Sequence, residues 1–242
     1  MRVSSYFALF LTVWSIAFAD EANFEAAIID DYVAVSKAQE SRLDGATMEV
    51  EIAAEMPKLH KSGRLHALRR ISALGRITYD ALRFEGDHSI KNEVIARYLT
   101  AESEALKSEP SATAVTPVNY KFSFKGARQT AGATTYYFSI KPRKKRPGLF
   151  KGRVYLDAHN GSLVRVEGSV VKSPSFFVKH IEFWQDYTDV QSFTLPAHIH
   201  TVAKARIVGR TIVDIVHRDY QTVPSITARV GLPAHLGIRS GF

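Results

Sequence analysis

The chain has 242 residues, 45% hydrophobic and 23% charged. A sequence of that balance can bury a sizeable core and is not a disordered, collagen-like or coiled-coil chain. The net charge is +8, from 32 Lys and Arg against 24 Asp and Glu, and there is no cysteine. Disulfides, cysteine-ligated zinc, iron–sulfur clusters, a thiol nucleophile and a lipid-modified cysteine are thereby excluded.

Residues 1–19 open with Arg2, continue through an apolar run from Phe7 to Ile16, and end in Ala17-Phe18-Ala19 ahead of Asp20-Glu21. A positive start, a short apolar stretch and a small-x-small site read as a cleaved secretory signal peptide. The run is short for a span of ~20 residues. The expected mature chain begins near Asp20 and sits in a bacterial periplasm, not lipid-anchored. One domain is expected over 20–221, with an extended tail over 222–242.

From residue 21 to 43, Phe24, Ala27, Ile28, Tyr32, Val35 and Leu43 recur at spacings of three and four, which predicts an amphipathic helix ending at Asp44-Gly45. The period then changes to two, with Met48, Val50 and Ile52 alternating with Glu49 and Glu51, as in a half-buried strand. Residues 64–84 read as two strands with Gly75 at a turn or bulge. Residues 89–107 are helical again, with Ile90, Val94, Ile95, Tyr98, Leu99 and Leu106 on one side and Ser89 as N-cap. The polar stretch from Lys107 to Pro117 is a loop.

A run of strands follows. Val118, Tyr120, Phe122 and Phe124 alternate with Asn119, Lys121, Ser123 and Lys125, and Gly126 to Gly132 is the expected turn. Tyr136, Phe138 and Ile140 form a second strand, and Val154 and Leu156 a third. His159-Asn160-Gly161 is a hairpin turn, because Asn-Gly tolerates the positive φ that tight turns need. Val164, Val166 and Val170 come next, then strands over 176–188, 196–208 and 210–221 with Gly209 at the last turn. About seven consecutive strands joined by short turns make an antiparallel meander. The expected fold class is α+β, a curved antiparallel sheet forming an unclosed β-barrel with helices covering the open side.

Tyr120, Phe122, Phe124, Tyr136 and Phe138, with Ile140, Val154, Leu156, Val164 and Val166, share the inward face. Such a face is either a packed core or the lining of a ligand cavity, and sequence leaves both open. Lys141, Arg143, Lys144, Lys145 and Arg146 put five cations into six residues between prolines, a solvated loop suited to solubility or to anionic lipid head groups. No nucleic-acid motif accompanies them. His198 and His200 fall on one side of a strand and could bind zinc or copper with His217 as a third ligand. Lys204 and Arg206 share that side, so a solvent face is preferred and neither metal nor cofactor is assigned. Hydrolase and phosphate-loop motifs are absent. Asp30 and Asp31 point apart on a helix, and Asp186 and Asp189 flank a Tyr-Thr pair, so no catalytic dyad and no enzyme is expected.

Three blocks carry a family resemblance: Gly148-Leu149-Phe150-Lys151-Gly152-Arg153-Val154-Tyr155-Leu156-Asp157 with Gly161-Ser162-Leu163-Val164-Arg165-Val166-Glu167-Gly168; Ser173-Pro174-Ser175-Phe176-Phe177-Val178-Lys179; and Ser192-Phe193-Thr194-Leu195-Pro196 with Val213-Asp214-Ile215 and Asp219-Tyr220. Residues 89–221 thereby resemble the LolA/LolB-like superfamily, in particular the bacterial outer membrane lipoprotein-sorting relatives. The resemblance implies an unclosed β-barrel with a helical lid and an apolar cavity for acyl chains. Implied partners are a lipid or acylated lipoprotein cargo and a protein at the inner or outer membrane, with no nucleic acid. A related role is an envelope-stress regulator that acts through a partner protein. The receptor branch is itself a lipoprotein, and this chain lacks the cysteine that requires.

Overall fold

The structure is a computed structural model that describes residues 13–40, 46–72, 77–105, 112–130, 132–173, 178–190 and 193–221. Helix α1, Val13–Glu40, is followed by β1 (Thr47–Met56), a 3-10 turn (Pro57–Leu59), β2 (Lys61–Ile71) and β3 (Ile77–Gly86). A second helical segment comprises α2 (His88–Ile90), a π turn (Lys91–Ile95) and α3 (Ala96–Ala105). Seven strands follow: β4 (Tyr120–Thr130), β5 (Ala133–Pro142), β6 (Phe150–Asp157), β7 (Leu163–Val170), β8 (Val178–Val190), β9 (Phe193–Ala205) and β10 (Gly209–Gln221).

All ten strands form one sheet in the order β3-β2-β1-β10-β9-β8-β7-β6-β5-β4, with every neighbouring pair antiparallel. The meander over β4–β10 is the one the alternation predicts. The first three strands extend the same sheet, because β1 pairs with β10 through Ile52↔Ile215 and its neighbours. Strands β3 and β4 are the two edges and do not pair with each other, so the sheet is not closed.

The inner face holds two apolar clusters. One joins Tyr120, Phe138, Ile140, Leu149, Phe150, Val154, Leu156 and Val166 to Ile28 and Tyr32 of α1. The other joins Val50, Ile52, Ala54, Met56, Leu65, Ala67 and Ile215 to Ile90 and Ile95 of the second helical segment. The strict burial alternation of β1 shows how strand period selects that face. Each helix thus covers one half of one sheet. Among the described residues, no helix is long and apolar enough to cross a membrane.

Several local expectations are corrected. Val118 is not in a strand but in a turn, 81% exposed. The amides of Asn119 and Tyr120 both donate to the Thr116 carbonyl at 3.0 and 2.9 Å, which wraps the chain there before β4 begins. Gly126 lies inside β4 rather than in a turn. Its φ of +137° serves a β-bulge between Phe124 and Gly126, so the strand continues to Thr130. The cap of α2 is Asp87 rather than Ser89: Asp87 Oδ1 accepts from the Ser89 amide at 2.7 Å and its hydroxyl at 2.5 Å. Helix α1 begins at Val13, not near residue 21, since the apolar residues before Asp20 continue its helical path. Residues 1–12, Asp44-Gly45, Gly75 and the tail over 222–242 lie outside the described residues.

Gly152 and Gly168 face each other across β6 and β7. A Cβ on Gly152 would sit 1.9 Å from the Glu167 carbonyl oxygen and 2.6 Å from Gly168 Cα. Backbone, not a flexible side chain, fills that space, as at a sharp bend in a curved sheet. Gly152→Ala should therefore lower stability by about 2 kcal/mol, read as a fall in the urea midpoint at unchanged slope.

Candidate functional site

Alternation along β4–β7 aims the predicted lining residues at α1. Tyr120, Phe138, Ile140, Val154 and Leu156 are all 0% exposed, and Val166 is 3%. Phe122, Phe124 and Tyr136 are partly buried against the same cluster. Their rings meet edge-on, with Phe124 at 5.3 Å from Phe138 and 6.0 Å from Tyr136, and Phe122 at 6.1 Å from Phe138, a favoured geometry for aromatic pairs. Val164 departs from the expected face. A register shift at Tyr155/Leu156 sets Leu163, not Val164, opposite Leu156, and Leu163 joins the cluster.

Helix α1 lies over this aromatic row but is lightly seated. Among its described side chains it buries Ile28 and Tyr32, one helical turn apart, and packs Ile29 and Val33 partly buried on the same cluster, while Phe24 stays 45% exposed. The Phe24 ring still rests edge-on at 5.8 Å from Phe124 and 5.6 Å from Tyr136. Burial pushes the Tyr32 hydroxyl above its ordinary pKa. At its far end α1 is tied by a polar chain, in which Gln39 Nε2 donates to Thr194 Oγ1 at 3.1 Å and Thr194 Oγ1 donates to Asp189 at 2.8 Å. A cleft of about 280 Å³ opens beside α1, lined in part by Ile28, Val35, Tyr136 and Gly161. Two further clefts, about 340 and 440 Å³, involve Glu49, Glu51, His66 and Arg83 in one case and Arg64, Glu85 and Asp214 in the other. Of the ten predicted lining residues, Tyr136 alone lines one of these three clefts.

Under α3 sits a polar cluster that the apolar pattern did not indicate. Arg69 donates to Glu102 at 2.9 Å, and the Tyr79 hydroxyl also donates to Glu102. Tyr98 is close by, and burial, with Glu102 adding to it, drives both tyrosine hydroxyls far above the ordinary range. His217 is 8% exposed, stacks with Tyr220 at 6.5 Å, and is pushed down to about 4 by burial first and the Arg69 charge second. Arg69 Nε and His217 Nδ1 have no hydrogen-bond partner among the described protein groups. One signal was available: Arg69 continues the Leu65, Ala67 parity of β2, so period two sends it inward.

His217 cannot complete a metal set with His198 and His200. Successive residues on β10 face opposite ways, and Asp214, rather than His217, pairs in register with His200. His198 Nε2 and His200 Nδ1 both lie on Asp214 Oδ1, at 3.2 and 2.7 Å. Trp184 stacks on His200 at 5.4 Å and receives the Arg165 guanidinium on its ring at 4.7 Å. No group of three or more candidate ligands fit to hold a metal ion occurs among the described residues. Asp186 is engaged by Arg165 at 2.8 Å and Asp189 by Thr194, so the two carboxylates do not act as a pair.

In the basic loop the five cations separate into two kinds. Arg143 Nε donates to the Pro117 carbonyl at 2.7 Å, and Arg146 reaches Asn119 Oδ1 at 2.8 Å, so these two brace the loop against residues 112–119. Lys141, Lys144 and Lys145 are exposed.

The chain is similar in structure to LolA superfamily proteins. A member from Nitrosomonas europaea superposes with a TM-score of 0.41 at 10% identity, over 82% of this chain and 93% of that one. A DUF1329 family protein from Desulfovibrio piger gives 0.43 at 11%, over 86% and 94%. An outer membrane lipoprotein-sorting protein domain from Vibrio parahaemolyticus gives 0.37 at 13%, over 83% and 93%. No family model and no curated protein matches the sequence.

Proposed function

We propose that this is an exported, periplasmic binding protein that carries or senses lipids or lipoprotein acyl chains on the inner face of the half-barrel, with α1 as a displaceable cover. The observation that carries this reading is the contrast between a continuous aromatic row and the light seating of the helix above it. Among the described side chains of α1, Ile28 and Tyr32 are buried there and Ile29 and Val33 partly so, while Phe24 remains 45% exposed against two rings of the row. Lifting the buried Ile28 and Tyr32 costs about 1.5–3 kcal/mol each and the partly buried Ile29 and Val33 roughly half that each, whereas burying an acyl chain of a dozen carbons gains about 0.8 kcal/mol per CH₂. The exchange favours the acyl chain without a polar anchor. No catalytic step belongs to this reading: Asp186 is paired with Arg165, Asp189 accepts from Thr194, and His198 and His200 both lie on Asp214.

Native mass spectrometry of protein purified from the periplasm tests it. Phospholipid or an acylated peptide should co-purify, and Phe124→Asp should abolish that adduct while retaining the strand-rich circular dichroism spectrum. Protein that emerges free of lipid, and that takes up no fluorescent fatty acid, would sink the proposal.

A further inference from the structure

Among the described residues the exposed large hydrophobics are Phe24, Leu59, Leu82, Val118 and Ile207. Phe24 rests on the aromatic row. Of the other four, Leu59, Val118 and Ile207 all fall at one end of the sheet, where the β1–β2, β5–β6, β7–β8 and β9–β10 turns lie and β4 begins. They are 41%, 81% and 72% exposed. Neighbouring turns carry them. The Lys58 side chain lies 3.2 Å from where a Cβ on Gly209 would stand, which sets the Leu59 turn beside the Ile207 turn. The Arg143 amide donates to the Asn119 carbonyl at 2.7 Å, which fastens the Val118 turn to the basic loop.

The turns at this end are basic. The described residues of these turns, 57–60, 112–119, 143–149, 171–173 and 206–208, include Lys58, Lys144, Lys145 and Lys172 and no Asp or Glu. Asp87, in the β3–α2 connection at this end, is neutralised by Lys61 at 3.5 Å. Glu55 and Glu85, exposed in the last three residues of β1 and β3, also stand at this end, so the basic character belongs to the turns themselves. Aliphatic tips set among cations match a surface with an anionic head-group layer over hydrocarbon.

We propose that this end of the half-barrel is a docking rim for the surface of an anionic phospholipid bilayer, with Leu59, Val118 and Ile207 entering the head-group layer and Lys58, Lys144, Lys145 and Lys172 contacting phosphates. The rim is a separate property from cargo binding on the inner face, so either can fail while the other stands.

Co-sedimentation of the purified protein with phosphatidylcholine vesicles, with and without phosphatidylglycerol, tests this. Binding should require the anionic lipid and weaken as salt rises. Lys144→Glu with Lys145→Glu should weaken it roughly 25-fold or more, since each lysine near such a surface is worth about a fivefold factor. Val118→Asp and Ile207→Asp should each weaken it roughly tenfold or more by removing a buried aliphatic. Leu82→Asp, at a position 55% exposed and away from the rim, should leave binding unchanged. These sites are on the surface, and circular dichroism will show each variant folded. Equal sedimentation with both vesicle types, no sedimentation at low salt, or a loss with Leu82→Asp as large as with Ile207→Asp would overturn the proposal.

Discussion

Phe138→Ala should remove about 4 kcal/mol of stability, seen as a large fall in the urea midpoint with little change in slope. Phe138 is 0% exposed, and its ring lies within 5.3 Å of Phe124 and 6.1 Å of Phe122. Truncation forfeits the transfer of the ring from water and leaves a void that rings on neighbouring strands cannot collapse to fill. Phe24 is the comparison. It touches the same aromatic row from α1 but is 45% exposed, so Phe24→Ala forfeits roughly half of one transfer and leaves no closed void. The ratio of the two losses reports how the row is used. A loss below about 1.5 kcal/mol for Phe138→Ala would mean the ring faces open space under the helix, as in a permanently hollow trough. A loss near 4 would mean that the apo protein is closed and that cargo must displace α1 to reach the row.

Much of the half-barrel was legible in the sequence because half-buried strands write their period into it. The alternations at Tyr120 to Phe124, Tyr136 to Ile140 and Met48 to Ile52 each set a strand with its apolar side inward; the structure buries Met48 and places the other side chains in or against its two clusters. Bulges were not legible. The ones at Gly126 and at Tyr155/Leu156 each change the side-chain parity, so a strand was broken early in one case and Val164 stood in for Leu163 in the other. The union of β1 with β10 was not legible either, since Ile52 and Ile215 meet across most of the chain and no local pattern marks that pairing. Polar inner-face positions were the remaining gap. An inward Arg69 or His217 breaks the apolar alternation, which looks from sequence like a weak strand and not like a buried charge network.

The same two residues give the protein a built-in acid sensitivity. His217 is buried on the inner face, its ordinary pKa of 6.5 pushed down to about 4 by burial and by the Arg69 charge. Arg69 is held in place by Glu102, which also accepts from Tyr79, so the positive charge facing His217 is fixed rather than mobile. Between pH 6.5 and 4 the unfolded chain takes a proton at this histidine and the folded chain does not. Stability therefore rises with pH across that window and falls as the solution is acidified through it, by roughly 3 kcal/mol in all, with the loss complete below pH 4. His217→Leu keeps a side chain of similar bulk and removes the titration. Urea unfolding of both proteins across this range should show the wild type weakening more steeply, while the difference between the two curves isolates His217 from the carboxylates and other histidines. At neutral pH the variant should be at least as stable, because His217 Nδ1 gives up no hydrogen bond to a described protein group when it is removed. Parallel curves for the two proteins between pH 6.5 and 4 would show that the imidazole takes its proton without unfolding, by turning out from under Tyr220 toward solvent.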